Sequence, residues 1–398
     1  MKVATVETIP IGVPLVPPEE ASNHPLGIPT LSYVLVRVRT DEGQEGWGEI
    51  SDGWGCEYPT VAAAIVDEAL SRFIIGRDPS DVGTLVERMW AWMRRRQGTS
   101  WLVAQAVSGV EIALWDLVSR AAGIPVSEAI GSPIHTQIPI YAGGNFLGQG
   151  DAATHAKFYR PALDRGVAMI KVRIGVDWEH DLDVLGELHQ LLGPHVQIGV
   201  DGSEAYRADT SLLIAHRMAE LDVAFFEEPI PRDDANALAR LVAESPVPIA
   251  YGEHVHRASG FRALEADGPL SDIWQPDITV LGGYIEATST YALAADLGRP
   301  ISPHSATTPL GFAANLHGAA TAPTLSYVEY SATAIAQLTT FFDGGEQLSL
   351  DAVENGRLAL PTGPGIGVMP NVDALQEAFP VRPLSPVGDM PPFYIGAV

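Results

Sequence analysis

Cysteine is almost absent, since Cys56 is the only one in 398 residues. An intrachain disulfide is therefore impossible, and so is any metal site built on several thiolates. Lysine is nearly as scarce, with Lys2, Lys157 and Lys171 set against 21 arginines. A lysine inside a polar cluster thus carries information. Positive charge as a whole is in deficit: the formal net charge is −25. Phosphate binding requires basic patches, so nucleic acid is excluded as a partner. No run approaches the roughly 18 apolar residues that a membrane-spanning helix needs, and no membrane association is expected. The opening stretch is interrupted by Pro10 and Pro14 and lacks the continuous apolar region of a signal peptide, so a cytoplasmic protein is expected.

What is present suits a large core, with hydrophobic residues making up 46% of the chain. The length fits two or three units, or one barrel of about 250 residues beside a smaller domain. From residue 137 onward a rhythm sets in. Short β-branched or aromatic runs occur at 137–141, 169–173, 197–201, 224–227, 247–253, 273–277, 300–304 and 326–329, and each ends in polar residues. Between them lie amphipathic stretches, such as that carrying Trp178, Leu182, Leu185 and Leu192 near helical spacing. A period of about 25 to 30 residues accommodates a strand, a helix and two short loops. Eight such units close most naturally into a parallel α/β barrel. The alternative is an open doubly wound sheet, but no glycine-rich nucleotide turn follows the first strand.

The amino-terminal part reads differently. Residues 31–40 and 45–49 form antiparallel strands around Asp41-Glu42-Gly43, and helical stretches follow at 60–74, 80–97 and 103–122. Gly123-Ile124-Pro125 stops the last of them. This is an α+β unit distinct from the barrel.

In a parallel barrel the carboxyl ends of the strands build the active site. Here those ends deliver Lys171 and Arg173, then Asp201, Glu227, Glu253, Asp277, His304 and Glu329. Asp201, Glu227 and Glu253 recur at intervals of 26 residues. Three clustered anions repel one another unless a cation sits among them, and an all-oxygen set favours a hard one, best Mg2+. Asp277 and His304 suit a carboxylate that fixes an imidazole tautomer and leaves the other nitrogen to handle protons. Lys171 and Arg173 alternate on one strand, so both face the same side. They can bind a substrate carboxylate and stabilise a developing enolate, or simply pair with the barrel acids.

These residues lie in segments that resemble the mandelate racemase group of the enolase superfamily. The matching pieces are ALWDLVSRAAGIP (113–125), IKVRIG (170–175), VDG (200–202), FFEEP (225–229), YGE (251–253), QPDITVLGG (275–283), SPH (302–304), VEY (328–330) and GPGIGV (363–368). The order and spacing carry the resemblance. It implies a modified (β/α)7β TIM-like barrel over 131–360. An α+β capping domain over 1–130 would be completed by the tail, 361–398, returning to it. It implies magnesium on Asp201, Glu227 and Glu253, an acid/base His304 paired with Asp277, and Glu329 hydrogen-bonded to an enediolate oxygen. Cap loops around 18–28 and 51–58 would cover the substrate, making Asn23 and His24 candidate contacts beside Ser203, Glu204, His254 and His256. The two histidines could equally be structural. A homo-oligomer, dimer or octamer, is also implied.

Two departures from the family pattern matter. Arg173 stands where the family's racemases carry a second lysine, and a guanidinium is a poor general base. The third strand reads Asp201-Gly202-Ser203 rather than Asp-x-Asn. Racemisation needs bases on both faces of the substrate, whereas dehydration needs one base and an acid for the leaving hydroxyl. The expected reaction is dehydration of a 2,3-dihydroxy sugar acid to a 2-keto-3-deoxy acid. Racemisation, epimerisation or cycloisomerisation of a related carboxylate is the alternative, and a non-catalytic family member is the outlying one.

Overall fold

The computed structural model describes residues 1–14, 30–52, 56–175, 177–266, 268–332 and 334–381. Strands β1 (Val3–Pro14), β2 (Thr30–Thr40) and β3 (Glu45–Ile50) form an antiparallel sheet in that order. The β-branched run of β2 is buried along most of its length because the 21-residue helix Leu102–Ala122 covers the sheet. That helix is apolar and long enough to cross a membrane by composition, yet most of it is buried inside this protein. It ends at Gly123, whose φ of 71 gives the left-handed stop expected there. The stretch expected as a helix over 60–74 is α-helical only at Pro59–Ala64 and continues as a π turn over Ile65–Leu70.

The barrel strands are β4 (Gln137–Phe146), β5 (Met169–Arg173), β6 (Gln197–Asp201), β7 (Phe225–Glu227), β8 (Ile249–Tyr251), β9 (Ile273–Trp274) and β10 (Val328–Ser331). Neighbours pair in parallel along this series, and β10 pairs with β4. The strand expected at 300–304 shrinks to one bridging residue, Ile301, paired with Trp274 on one side and Leu325 on the other. Pro300 and Pro303 flank it, and neither has an N–H to extend a ladder. The single bridge still closes the ring, through Trp274 N–H to Pro300 O and Ser326 N–H to Ile301 O.

After β10 the chain returns to the cap. Ile366 N–H donates to Asp116 Oδ1 (2.7 Å) and Arg120 donates to Val368 O (2.8 Å), both on the long cap helix. The helix Val372–Ala378 follows, and Gly12 N–H of β1 donates to Phe379 O beyond it. Cap and tail thus form one unit beside the barrel, as a (β/α)7β TIM-like barrel with an α+β cap requires.

Candidate active site

Strand register puts the first polar residues level with one another: Arg173 pairs with Asp201, and Asp201 with Glu227. All are buried, as are Lys171, Glu253, Asp277, His304 and Glu329. The lysine ammonium lies among the acids, contacting Glu227 Oε1, with Glu329 Oε1 at 3.1 Å and Asp201 Oδ2 at 3.8 Å. Arg173 Nε is 3.3 Å from Asp201 Oδ2. Glu329 has room because Gly143 lies beside it; a Cβ there would collide with its carboxylate.

Charge crowding sets the protonation states. Burial raises Glu227 to about 7 although Lys171 opposes the shift. Burial also lifts Glu253 well above the carboxylate range, against the pull of His304 and with help from Glu228 and Glu227. Asp201 goes the other way. Burial pushes it up, but Arg173, Lys171 and two hydrogen bonds from Ser203 hold it down. Burial disfavours the charged forms of Lys171 and Arg173, yet the carboxylates around them keep both firmly cationic.

The ring of His304 is oriented by Asp277, with Nδ1 3.1 Å from Oδ2. The other oxygen of Asp277 accepts from Thr279 N–H (2.9 Å), Thr279 Oγ1 (2.7 Å) and Asn315 Nδ2 (3.1 Å). This leaves Nε2 facing the other acids, 3.6 Å from Glu253 and 3.7 Å from Glu329, without a hydrogen bond among the described residues. Burial works against a charged imidazole, but Glu253, Glu329 and Asp277 raise it to about 10.

The donor chemistry of Asp201, Glu227 and Glu253 fits a hard divalent cation. All three are buried carboxylates with no sulfur or imidazole among them, and Glu253 Oε2 has no hydrogen-bond partner among the described residues. A second grouping overlaps this one. Ligand atoms of Glu228, Glu253 and His254 lie within 4.8 Å of one another.

Several neighbours were not singled out from sequence. Glu228, held at φ 37, follows Glu227 and faces His254 at 3.6 Å. Gln275 donates to Glu227, and Asn315 to Asp277. Arg232 grips Glu204 through Nε (2.8 Å) and Nη2 (2.9 Å). For Glu228 and Gln275 the available signals were the runs Glu227-Glu228 and Gln275-Pro276-Asp277, one or two positions from a strand-end acid, whereas Asn315 and Arg232 have no such neighbour. His256 accepts from Trp101 N–H (3.1 Å). Asn23 and His24 lie outside the described residues.

Comparison with known proteins agrees with this architecture. The model of the mandelate racemase / muconate lactonizing enzyme N-terminal domain matches residues 5–131, and that of enolase C-terminal domain-like proteins matches 154–374. A D-galactarolactone cycloisomerase of Agrobacterium fabrum is 31% identical over 359 residues, 87% of this chain and 91% of its own. A D-galactonate dehydratase of Ralstonia pickettii is 29% identical over 356 residues, 84% of this chain and 88% of its own. A racemase of Streptomyces coelicolor A3(2), solved with bound magnesium, shares 25% identity and superposes with a TM-score of 0.81 over 95% of this chain and 99% of that one. The chain belongs to the mandelate racemase and muconate lactonizing enzyme group of the enolase superfamily.

Proposed function

We propose that this protein is a hydro-lyase that dehydrates a sugar acid, a 2,3-dihydroxy carboxylate, to a 2-keto-3-deoxy acid. The observation that carries the reading is the asymmetry of proton handlers. Lys171 and Arg173 are both held cationic by buried carboxylates, whereas His304 has an oriented ring and an Nε2 without a hydrogen-bond partner among the described residues. One side of the site thus offers a base and the other offers only positive charge, which suits elimination better than racemisation. The 29% identical relative is named a D-galactonate dehydratase, which supports a sugar acid as substrate.

Asp201, Glu227 and Glu253 would hold Mg2+. When bound, that ion supplies Lewis-acid stabilisation of the charge growing on the substrate carboxylate and offsets the anionic excess around His304. Lys171 and Arg173 orient the carboxylate by ion pairing. His304 Nε2 takes the proton from C2 and returns one to the departing C3 hydroxyl, while Asp277 keeps the ring in place. Glu329, pushed up by burial yet held below the usual carboxylate range by Lys171 and His304, accepts from Lys171 and aims it.

Cycloisomerisation is the second reading, favoured by the 31% identical relative named D-galactarolactone cycloisomerase. It also needs a single proton handler. The deciding experiment is a magnesium-supplemented incubation with acid sugars and their lactones. A dehydratase forms a 2-keto acid from the open-chain acid with loss of one water, whereas a cycloisomerase forms one only from the lactone, as an isomer of unchanged mass. The His304→Asn variant should lose both product and deuterium exchange at C2; full activity in that variant would remove the mechanism.

A further inference from the structure

The mouth of the barrel is richer in anions than its chemistry at C2 requires. Seven carboxylates gather there among the described residues: Asp201, Glu204, Glu227, Glu228, Glu253, Asp277 and Glu329. Three cationic side chains face them, and each is already paired, Lys171 with Glu227, Arg173 with Asp201 and Arg232 with Glu204. A bound divalent cation would bring the count to seven negative against five positive, with His304 neutral as a base at C2 must be. The substrate's own carboxylate makes it eight.

Beyond the acids stands an aromatic shelf contributed by the cap. Trp101 precedes the long cap helix with φ 54 and ψ −138, a conformation that bulky residues rarely adopt. Its N–H is tied to His256 Nε2 at 3.1 Å, its ring lies 5.7 Å from that imidazole, and the Arg232 guanidinium stacks 5.5 Å from the ring centre. Despite these ties the indole is 58% exposed. A side chain fixed in this way over a strained backbone, next to the loops that follow β7 and β8, offers a flat, electron-rich face. The Glu204–Arg232 pair beside it offers acceptors and donors.

We propose that Trp101, Arg232 and Glu204 form the subsite for the distal end of the substrate, and that this end is an uncharged polyhydroxy chain rather than a second carboxylate. The inference rests on the sugar-acid reading above and narrows it to monoacids. C–H groups of the chain pack on the indole, hydroxyls bond to the Glu204–Arg232 pair, where Arg232 Nη1 has no hydrogen-bond partner among the described residues, and a terminal carboxylate meets an anionic excess in which Arg232, the cation at hand, is already neutralised by Glu204.

The test uses matched acids that differ only at C6: D-gluconate against D-glucarate, and D-galactonate against galactarate. Binding to the magnesium-loaded His304→Asn protein is measured by calorimetry, and turnover by the wild type is measured in parallel. At least one monoacid should bind at least about tenfold more tightly than its diacid. Trp101→Ala should raise KM for that monoacid by about tenfold with kcat nearly unchanged, and Trp101→Phe should restore most of the loss. Glu204→Gln should narrow the preference for monoacid over diacid. Equal binding of both members of each pair, no binding of any of the four, or no effect of Trp101→Ala in a variant with unaltered thermal stability would overturn the subsite even if keto acid is formed. Conversely, tight Trp101-dependent monoacid binding without keto-acid formation would sink the dehydratase reading and leave the subsite standing.

Discussion

Both oxygens of Asp277 are in use, one on His304 and the other on Thr279 and Asn315. That second set makes the carboxylate rigid, so its role is to hold the imidazole with Nε2 toward the acids. An asparagine at 277 keeps the shape but can present an amide N–H to Nδ1, which favours the wrong tautomer. Asp277→Asn should lower kcat by about a hundredfold or more while leaving magnesium affinity within a few fold. Steady-state kinetics beside a magnesium titration measure both. The strand-end acids could be read from sequence because the βα repeat places them at a fixed phase. Asn315 and Arg232 could not, since they lie away from the strand ends, Asn315 in the helix Pro309–Ala319 and Arg232 beyond β7.

At the level of elements, the cap is fastened to the barrel by buried carboxylates that satisfy helix amino termini. Glu111 of the long cap helix accepts from Tyr284 N–H (2.8 Å) and Ile285 N–H (2.9 Å), the first residues of the helix Tyr284–Leu297. Glu49 at the end of β3 does the same for Pro309–Ala319, accepting from Thr308 N–H and Gly311 N–H, each at 3.0 Å. Free N–H groups at a helix start need such partners, and the helix dipole favours an anion there. Gly283, the residue before the first of these helices, has φ 87 and no side chain, and a Cβ on it would collide with Glu111. Gly283→Ala should therefore destabilise the protein by about 2 to 4 kcal/mol, read as a lowered denaturant midpoint with an unchanged slope. The Gly282-Gly283 pair was visible in the sequence as part of a motif. Its reason was not, because Glu111 lies over 170 positions away.

Across the whole molecule, His317 joins three parts of the chain. It lies in the barrel helix Pro309–Ala319, accepts at Nδ1 from Ser127 N–H (3.3 Å) and lies at Nε2 3.0 Å from Ile366 O in the returning tail. That pattern requires a neutral ring, since a proton on Nδ1 would face the Ser127 donor. Burial lowers its pKa from 6.5 to about 4, against the raising effect of the Ile366 hydrogen bond. Between these values the unfolded chain binds the proton and the folded one does not. This contribution to stability is complete above about pH 6.5 and is lost as pH falls toward 4, about 3 kcal/mol in all. Denaturant unfolding of wild type and His317→Gln across that range checks it: the difference between them should shrink as pH falls.

The sequence by itself determined the class of fold, the order of its strands and the side chains that end them, because period and polarity are local properties that survive without coordinates. Tertiary structure decided the rest. It reduced the strand at 300–304 to Ile301 through its flanking prolines, and it set the ammonium of Lys171 among Glu227, Glu329 and Asp201. It also brought Trp101 of the cap against Arg232 and His256 of the barrel. Contacts between residues so distant in the chain depend on ring closure and on the docking of cap to barrel, and no local pattern encodes that distance. The strand-end carboxylates Asp201, Glu227 and Glu253 were therefore readable from 26-residue spacing, while the contacts that surround them were not.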